Sequence, residues 1–213
     1  MKMRTDPKSY SLIAVICVLM LLSDVLFAWP NDITEITKWY ATVNKLIADN
    51  KTRQILSYLK QDSERQDDMW IMVRGADSQV LYEKSFVKAK THVYGGRIVK
   101  ATILMENESG DWENLSEYYF YESGVSAFVF QKLITFHAYD TTREEQLPPG
   151  PYISEKTSYF GGSGEKIKSG LKAYIAKSKK EIDPKFVYHP DIDEYESVKA
   201  LPFYKLIEKE LKY

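Results

Sequence analysis

Glu113, Glu117 and Glu122 flank the aromatic run Tyr118 to Tyr121. Two acids beside aromatic platforms are what glycoside hydrolysis requires. On a strand, Glu117 shares a face with Tyr119 and Tyr121, while Glu113 and Glu122 fall in turns. Glu117 is therefore the candidate acid, with no assigned second carboxylate. The bland alternative is that charges beside a strand keep its edge soluble. Metal chemistry has less to draw on. His92, His137 and His189 bear no HxH, HxxxH or HExxH relation to one another, and Cys17 is the sole cysteine, so no metal or cofactor is expected. Asp191 to Glu196 resembles a calcium loop only superficially. It lacks glycine at the sixth position and has Pro202 where the bidentate glutamate belongs, so it reads as a solvated acidic turn. No GxSxG elbow is present, and GGSGEK (Gly161 to Lys166) lacks phosphate-loop spacing and reads as a hairpin turn.

Binding is the other chemistry to weigh. Trp112 stands at a polar hairpin tip, where it either anchors a partner or folds back over the sheet. Tyr119 and Tyr121 join it as candidate binding residues. Lys166, Lys168, Lys172, Lys177, Lys179 and Lys180 can meet an anionic surface or simply solvate a helix face. With 29 basic and 30 acidic residues among 213, the net charge is −1. That balance argues against a nucleic-acid binder relying on global positive charge. Hydrophobic residues at 44 % and charged residues at 28 % are ordinary globular proportions.

The first 28 residues read as a secretory leader. Lys2, Arg4 and Lys8 precede the apolar run Ser11 to Leu22, and Ala28 offers a small exit residue before Trp29. Twelve apolar residues span about 18 Å, short of a roughly 30 Å bilayer core. The expectation is cleavage after Ala28, a periplasmic or secreted product with no transmembrane span, and a single α+β domain over residues 29–213. An uncleaved anchor remains the alternative. Asn107-Glu-Ser109 and Asn114-Leu-Ser116 match the glycosylation pattern, but an exported chain with no cysteine after Ala28 looks bacterial, and there both read as chance.

The elements that must hold these residues follow from periodicity. Asp32 with Glu35 predicts a helix start, and Ile33, Ile36, Tyr40, Val43 and Ile47 form one stripe. Ile55, Leu56 and Leu59 extend it toward Lys60, with a break plausible at Asp49-Asn50-Lys51. From Met69 the period becomes two. MWIMVR and VLYEKSFV predict a strand pair around Gly75, RIVKATILME a strand after Gly95-Gly96, and SEYYFY with VSAFVFQKLITF a hairpin about Gly124. KTSYFGGSG echoes SEYYFYESG 40 residues later, as though two hairpins solve one turn problem. LKAYIAKSKKEI and the segment after Pro202 predict terminal helices. The fold class is α+β: an N-terminal helix on a curved antiparallel sheet of about five to seven strands, with C-terminal helices.

This order of features resembles secreted or periplasmic bacterial proteins whose families have no assigned activity, and the resemblance implies no substrate. A slight likeness to MORN-type repeats fails on spacing and copy number. The function expected is an exported, non-enzymatic domain that binds a protein or glycan of the envelope. A periplasmic hydrolase using Glu117 and an inhibitor or immunity-type protein anchored by Trp112 are the rivals.

Overall fold

The computed structural model describes residues 32–60, 69–136, 150–187 and 192–212. The leader, His137, His189 and most of the proline-bearing connection after Phe136 lie outside them. Helix α1 (Ile33–Ala48) begins where Asp32 accepts the Thr34 amide at 2.9 Å, a side-chain cap that satisfies one of the first orphan N–H groups. It ends at Asp49, followed by Asn50 with φ 53°. Left-handed backbone at that point stops a helix, so the expected extension to Lys60 is instead strand β1 (Arg53–Lys60).

Strand β2 (Met69–Met72) follows, then helix α2 (Ala76–Lys84). The segment read as a second strand is this helix. The Ser78 hydroxyl accepts the amides of Arg74 and Gly75, and that local cap overrides the short alternation in VLYEK. β3 (Val87–Tyr94), β4 (Arg97–Glu106), β5 (Trp112–Phe120), β6 (Ser126–Thr135), β7 (Tyr152–Phe160), β8 (Lys166–Ile175) and β9 (Glu181–Ile182) complete an antiparallel sheet ordered β2-β1-β3-β4-β5-β6-β7-β8-β9. Among the described residues, nine strands thus replace the five to seven expected. Residues 171–182, read as a lysine-rich helix, are strand β8, a turn with Lys179 at φ 58°, and β9. Ala173 and Ile175 face inward while Lys172 and Tyr174 alternate outward, which is strand rather than helix periodicity.

The echo between the two hairpins is structural. Both lose register at a Tyr-Phe step, Tyr119/Phe120 and Tyr159/Phe160. Each closes with a positive-φ glycine, Gly124 at 84° and Gly164 at 94°. Gly124 is doubly constrained, because a Cβ there meets Val198 Cγ2 at 2.9 Å.

Alternation along β5 splits the aromatic run between the two faces. Tyr118 and Phe120 join a core with Ile55, Met72, Val93, Ala101, Ile103 and Val129. This face is covered by the C-terminal strap, residues 192–212, through Leu201, Phe203 and Ile207. The strap's only α-helical turn, α3 (Tyr204–Ile207), is flanked by 3₁₀ segments. Terminal helices are therefore present only as short turns. On the opposite face, α1 lays Ile36 against Tyr121 and Ala127, and Val43 against Val99 and Tyr119. Helix and strap cover opposite faces, rather than helices packing together on one.

Candidate functional site

The candidate site is a cleft of about 470 Å³ between α1 and the ends of two hairpins. Trp39, Thr42 and Leu46 supply the helix wall. Tyr94, Gly95 and Arg97 come from the β3–β4 turn, and Tyr121 with Glu122 follows β5, over a floor of Ile98 and Val99. Local sequence explains the wall. Spacings of three and four put Trp39, Thr42 and Leu46 on one flank of α1, beside its buried Ile36–Val43 stripe. Gly95 and Gly96, at φ 57° and 73°, turn the chain so that Tyr94 and Arg97 stand side by side as a cross-strand pair.

The polar ends of two of the aromatic walls are already engaged. The Trp39 indole N–H donates to the Phe120 carbonyl at 3.0 Å, and the Tyr121 hydroxyl donates to the Phe160 carbonyl at 2.9 Å. Burial pushes the Tyr121 phenol up to about 12, with the Glu165 and Glu35 charges adding to it. It stays a neutral donor at physiological pH. Arg97 and Glu122 pair at 2.7 Å, with side chains 57 % and 75 % exposed. They offer adjacent donors and acceptors at the rim.

The residues singled out from sequence do not converge. Tyr121 lines the cleft. Tyr119 is fully buried beneath α1, its ring 4.8 Å from Tyr40 and its hydroxyl 3.0 Å from Asn44 Oδ1. Trp112 is half-buried at the start of β5, nine residues and about 30 Å of strand from Tyr121. Its amide donates to Asn107 Oδ1 at 3.0 Å. Glu117 is locked to Lys100 at 2.6 Å and lies 3.2 Å from the Tyr119 hydroxyl. The Lys100 ammonium also lies over the Tyr119 ring, 4.7 Å from its centroid. Burial, followed by the charges of Lys100 and Lys90, holds the His92 imidazole down to about 4. His92 therefore stays neutral, sharing a 3.1 Å hydrogen bond with Thr52. Among the described residues, no group of three or more His, Cys, Asp or Glu is placed to hold a metal ion. Asn114 is 1 % exposed and donates to Ser116 Oγ at 2.8 Å, so that acceptor motif is closed to glycosylation.

In the acidic run that opens the strap, Asp193 and Glu196 are exposed as a solvated turn requires, but Glu194 is not. Glu194 accepts from Lys156 and Lys166 at 2.7 and 2.6 Å and from Ser158 at 3.1 Å, with its side chain 13 % exposed. Lys166 is thus committed to this clamp rather than to an open basic face. Burial opposes ionisation of Glu194, but the hydrogen bonds and charges of the two lysines together outweigh it, and the carboxyl sits below its ordinary value of 4.5. A carboxyl lowered by folding stabilises the fold above its unfolded pKa and loses that contribution as pH falls through the folded one. Denaturant midpoints should therefore separate wild type from Glu194→Gln at pH 7 and converge as pH drops below 4.5 toward 3. An equal gap at both ends would show that the clamp's charge contributes nothing.

Sequence reasoning passed over Trp39, Tyr94 and Arg97. The available signal was Gly95-Gly96 bracketed by an aromatic and a cation, but only tertiary structure places α1 opposite them. Fold and site together define a single-sheet α+β domain with a lateral aromatic cleft. Comparison with protein-family models, curated proteins and solved structures finds no match. Among the described residues, no helix is long and apolar enough to cross a membrane.

Proposed function

We propose that the protein is an exported, non-enzymatic binding domain that takes an envelope ligand in the cleft between α1 and the hairpin turns. The observation carrying this reading is the cleft's composition: two accessible aromatic walls, Trp39 and Tyr94, over the buried ring of Tyr121, with a matched cation and anion at the rim. Concave, largely apolar sites with a few fixed polar groups are the usual form of ligand pockets. Export rests on the leader pattern of residues 1–28.

The arrangement of acids favours binding over hydrolysis. Paired glycosidase carboxylates stand about 5–9.5 Å apart. Glu113, expected in a turn, instead lies on β5 four residues from Glu117, roughly 14 Å away at strand rise, and Glu117 is already paired with Lys100. A second reading, contact with an envelope protein, draws on exposed Met69, Val80, Leu81 and Phe86 around β2 and α2.

Purified full chain should give saturable tryptophan quenching on titration with solubilised envelope polymers, and Trp39→Phe should abolish most of it. Turnover of peptidoglycan, polysaccharide or ester, lost in Glu117→Gln, would overturn the binding reading in favour of the hydrolase.

A further inference from the structure

We infer that the cleft is built for an uncharged saccharide, an assignment that rests on the cleft being the binding site. The argument starts from what the lining groups still have to offer. Trp39 and Tyr121 have spent their N–H and O–H on the backbone carbonyls of Phe120 and Phe160. Trp39, half-buried, still offers part of its ring, apolar and negative at its centre, whereas Tyr121, 6 % exposed, is a packed floor rather than a stacking face. Tyr94, 47 % exposed at the opposite wall, adds another ring. Aromatic faces match the flat, C–H-bearing side of a pyranose ring, which needs no hydrogen bond from the ring it stacks on.

The remaining polarity is the Arg97–Glu122 pair. Its charges cancel, so the rim attracts neither anion nor cation. An anionic ligand has to displace or oppose Glu122, and a cationic one Arg97. A hydroxyl both donates and accepts, so two neighbouring hydroxyls can bridge the guanidinium and the carboxylate without separating them. Apolar ligands, by contrast, would desolvate that pair and return no hydrogen bonds.

Size and access fit the same class. A volume of about 470 Å³ lies within the roughly 300–1,000 Å³ of small-molecule sites. No atom comes within 4 Å of a Cβ position at Gly95, so the rim is open there and a chain of sugars can continue past the turn.

The test is titration of the full chain with three probes, followed by calorimetry and by NMR of the tryptophan indole N–H signals. The probes are the neutral tetramer of N-acetylglucosamine, its cationic deacetylated form, and an oligogalacturonate. The expected result is that the neutral tetramer binds, moves the Trp39 indole signal, and binds at least tenfold more tightly than either charged oligomer. Tyr94→Ala should weaken it at least tenfold with an unchanged melting temperature; its exposed side chain makes that variant safe where Trp39→Ala can disturb the fold. If a charged oligomer binds more tightly while still moving Trp39, the saccharide charge class is wrong and the cleft stands. If the tetramer moves only Trp112, the cleft itself is wrong. No binding of the tetramer at millimolar concentration overturns the saccharide assignment.

Discussion

Replacing Phe203 with alanine should lower the melting temperature by roughly 10 °C. Phe203 is 1 % exposed and lies in the main core with its ring 4.8 Å from that of Trp70. Phenylalanine-to-alanine changes in such cores cost about 3–5 kcal/mol, because the lost burial and the residual cavity add. In a chain of this size each kcal/mol moves the midpoint by roughly 2–4 °C. The strap has little stability of its own, since its one α-helical stretch spans four residues and isolated turns of that length do not persist in water. Its order comes from Leu201, Phe203 and Ile207 docking on the sheet, assisted by Arg53 and Arg74, which bond the carbonyl and carboxylate of Glu210. Scanning calorimetry of Phe203→Ala beside Phe203→Leu checks the point. A shift below 2 °C for the alanine variant would mean that the strap does not complete the core.

How much of this was legible depends on whether a signal is local. The cap at Asp32 and the stripe through Ile36 and Val43 are local, and α1 forms where they indicate. The hairpins about Gly95-Gly96 and Gly124 were legible for the same reason, since a positive-φ glycine between alternating runs leaves few alternatives. β1 was misread because Ile55, Leu56 and Leu59 satisfy a helical spacing as well as a strand, and only pairing with β3 decides between them. β8 failed similarly, since the lysines that suggest a solvated helix face also suit a strand near a sheet edge.

The site was less legible than the fold. Tyr119 and Tyr121 share a face, as alternation requires, and α1 buries both, Val43 against Tyr119 and Ile36 against Tyr121, so that only an edge of Tyr121 reaches the cleft. Nothing in the local sequence reports where α1 lies over them. Glu194 in the acidic segment carries the same lesson, because its lysine partners, Lys156 on β7 and Lys166 on β8, lie 38 and 28 residues earlier.

Glu117→Gln should lower the melting temperature, which makes that residue a structural charge rather than a catalytic one. Glu117 and Lys100 are 22 % and 11 % exposed at 2.6 Å separation, so neither finds full compensation from water if its partner is removed. Breaking a buried pair by deleting one member costs about 3–5 kcal/mol. Partial access of water at Glu117 brings the expected loss to about 2 kcal/mol, or roughly 4–8 °C here. Lys100→Met should cost at least as much, because it leaves a carboxylate stranded beside the Tyr119 ring, whose hydroxyl burial already pushes toward the neutral form. The double variant should recover part of the loss, since two neutral side chains leave no unpaired charge, and a double-mutant cycle isolates that coupling. Strict additivity of the two single losses would show that the pair is not coupled. A Glu117→Gln variant that melts like wild type while losing a hydrolytic activity would return Glu117 to the catalytic role its place beside the aromatic strand suggested.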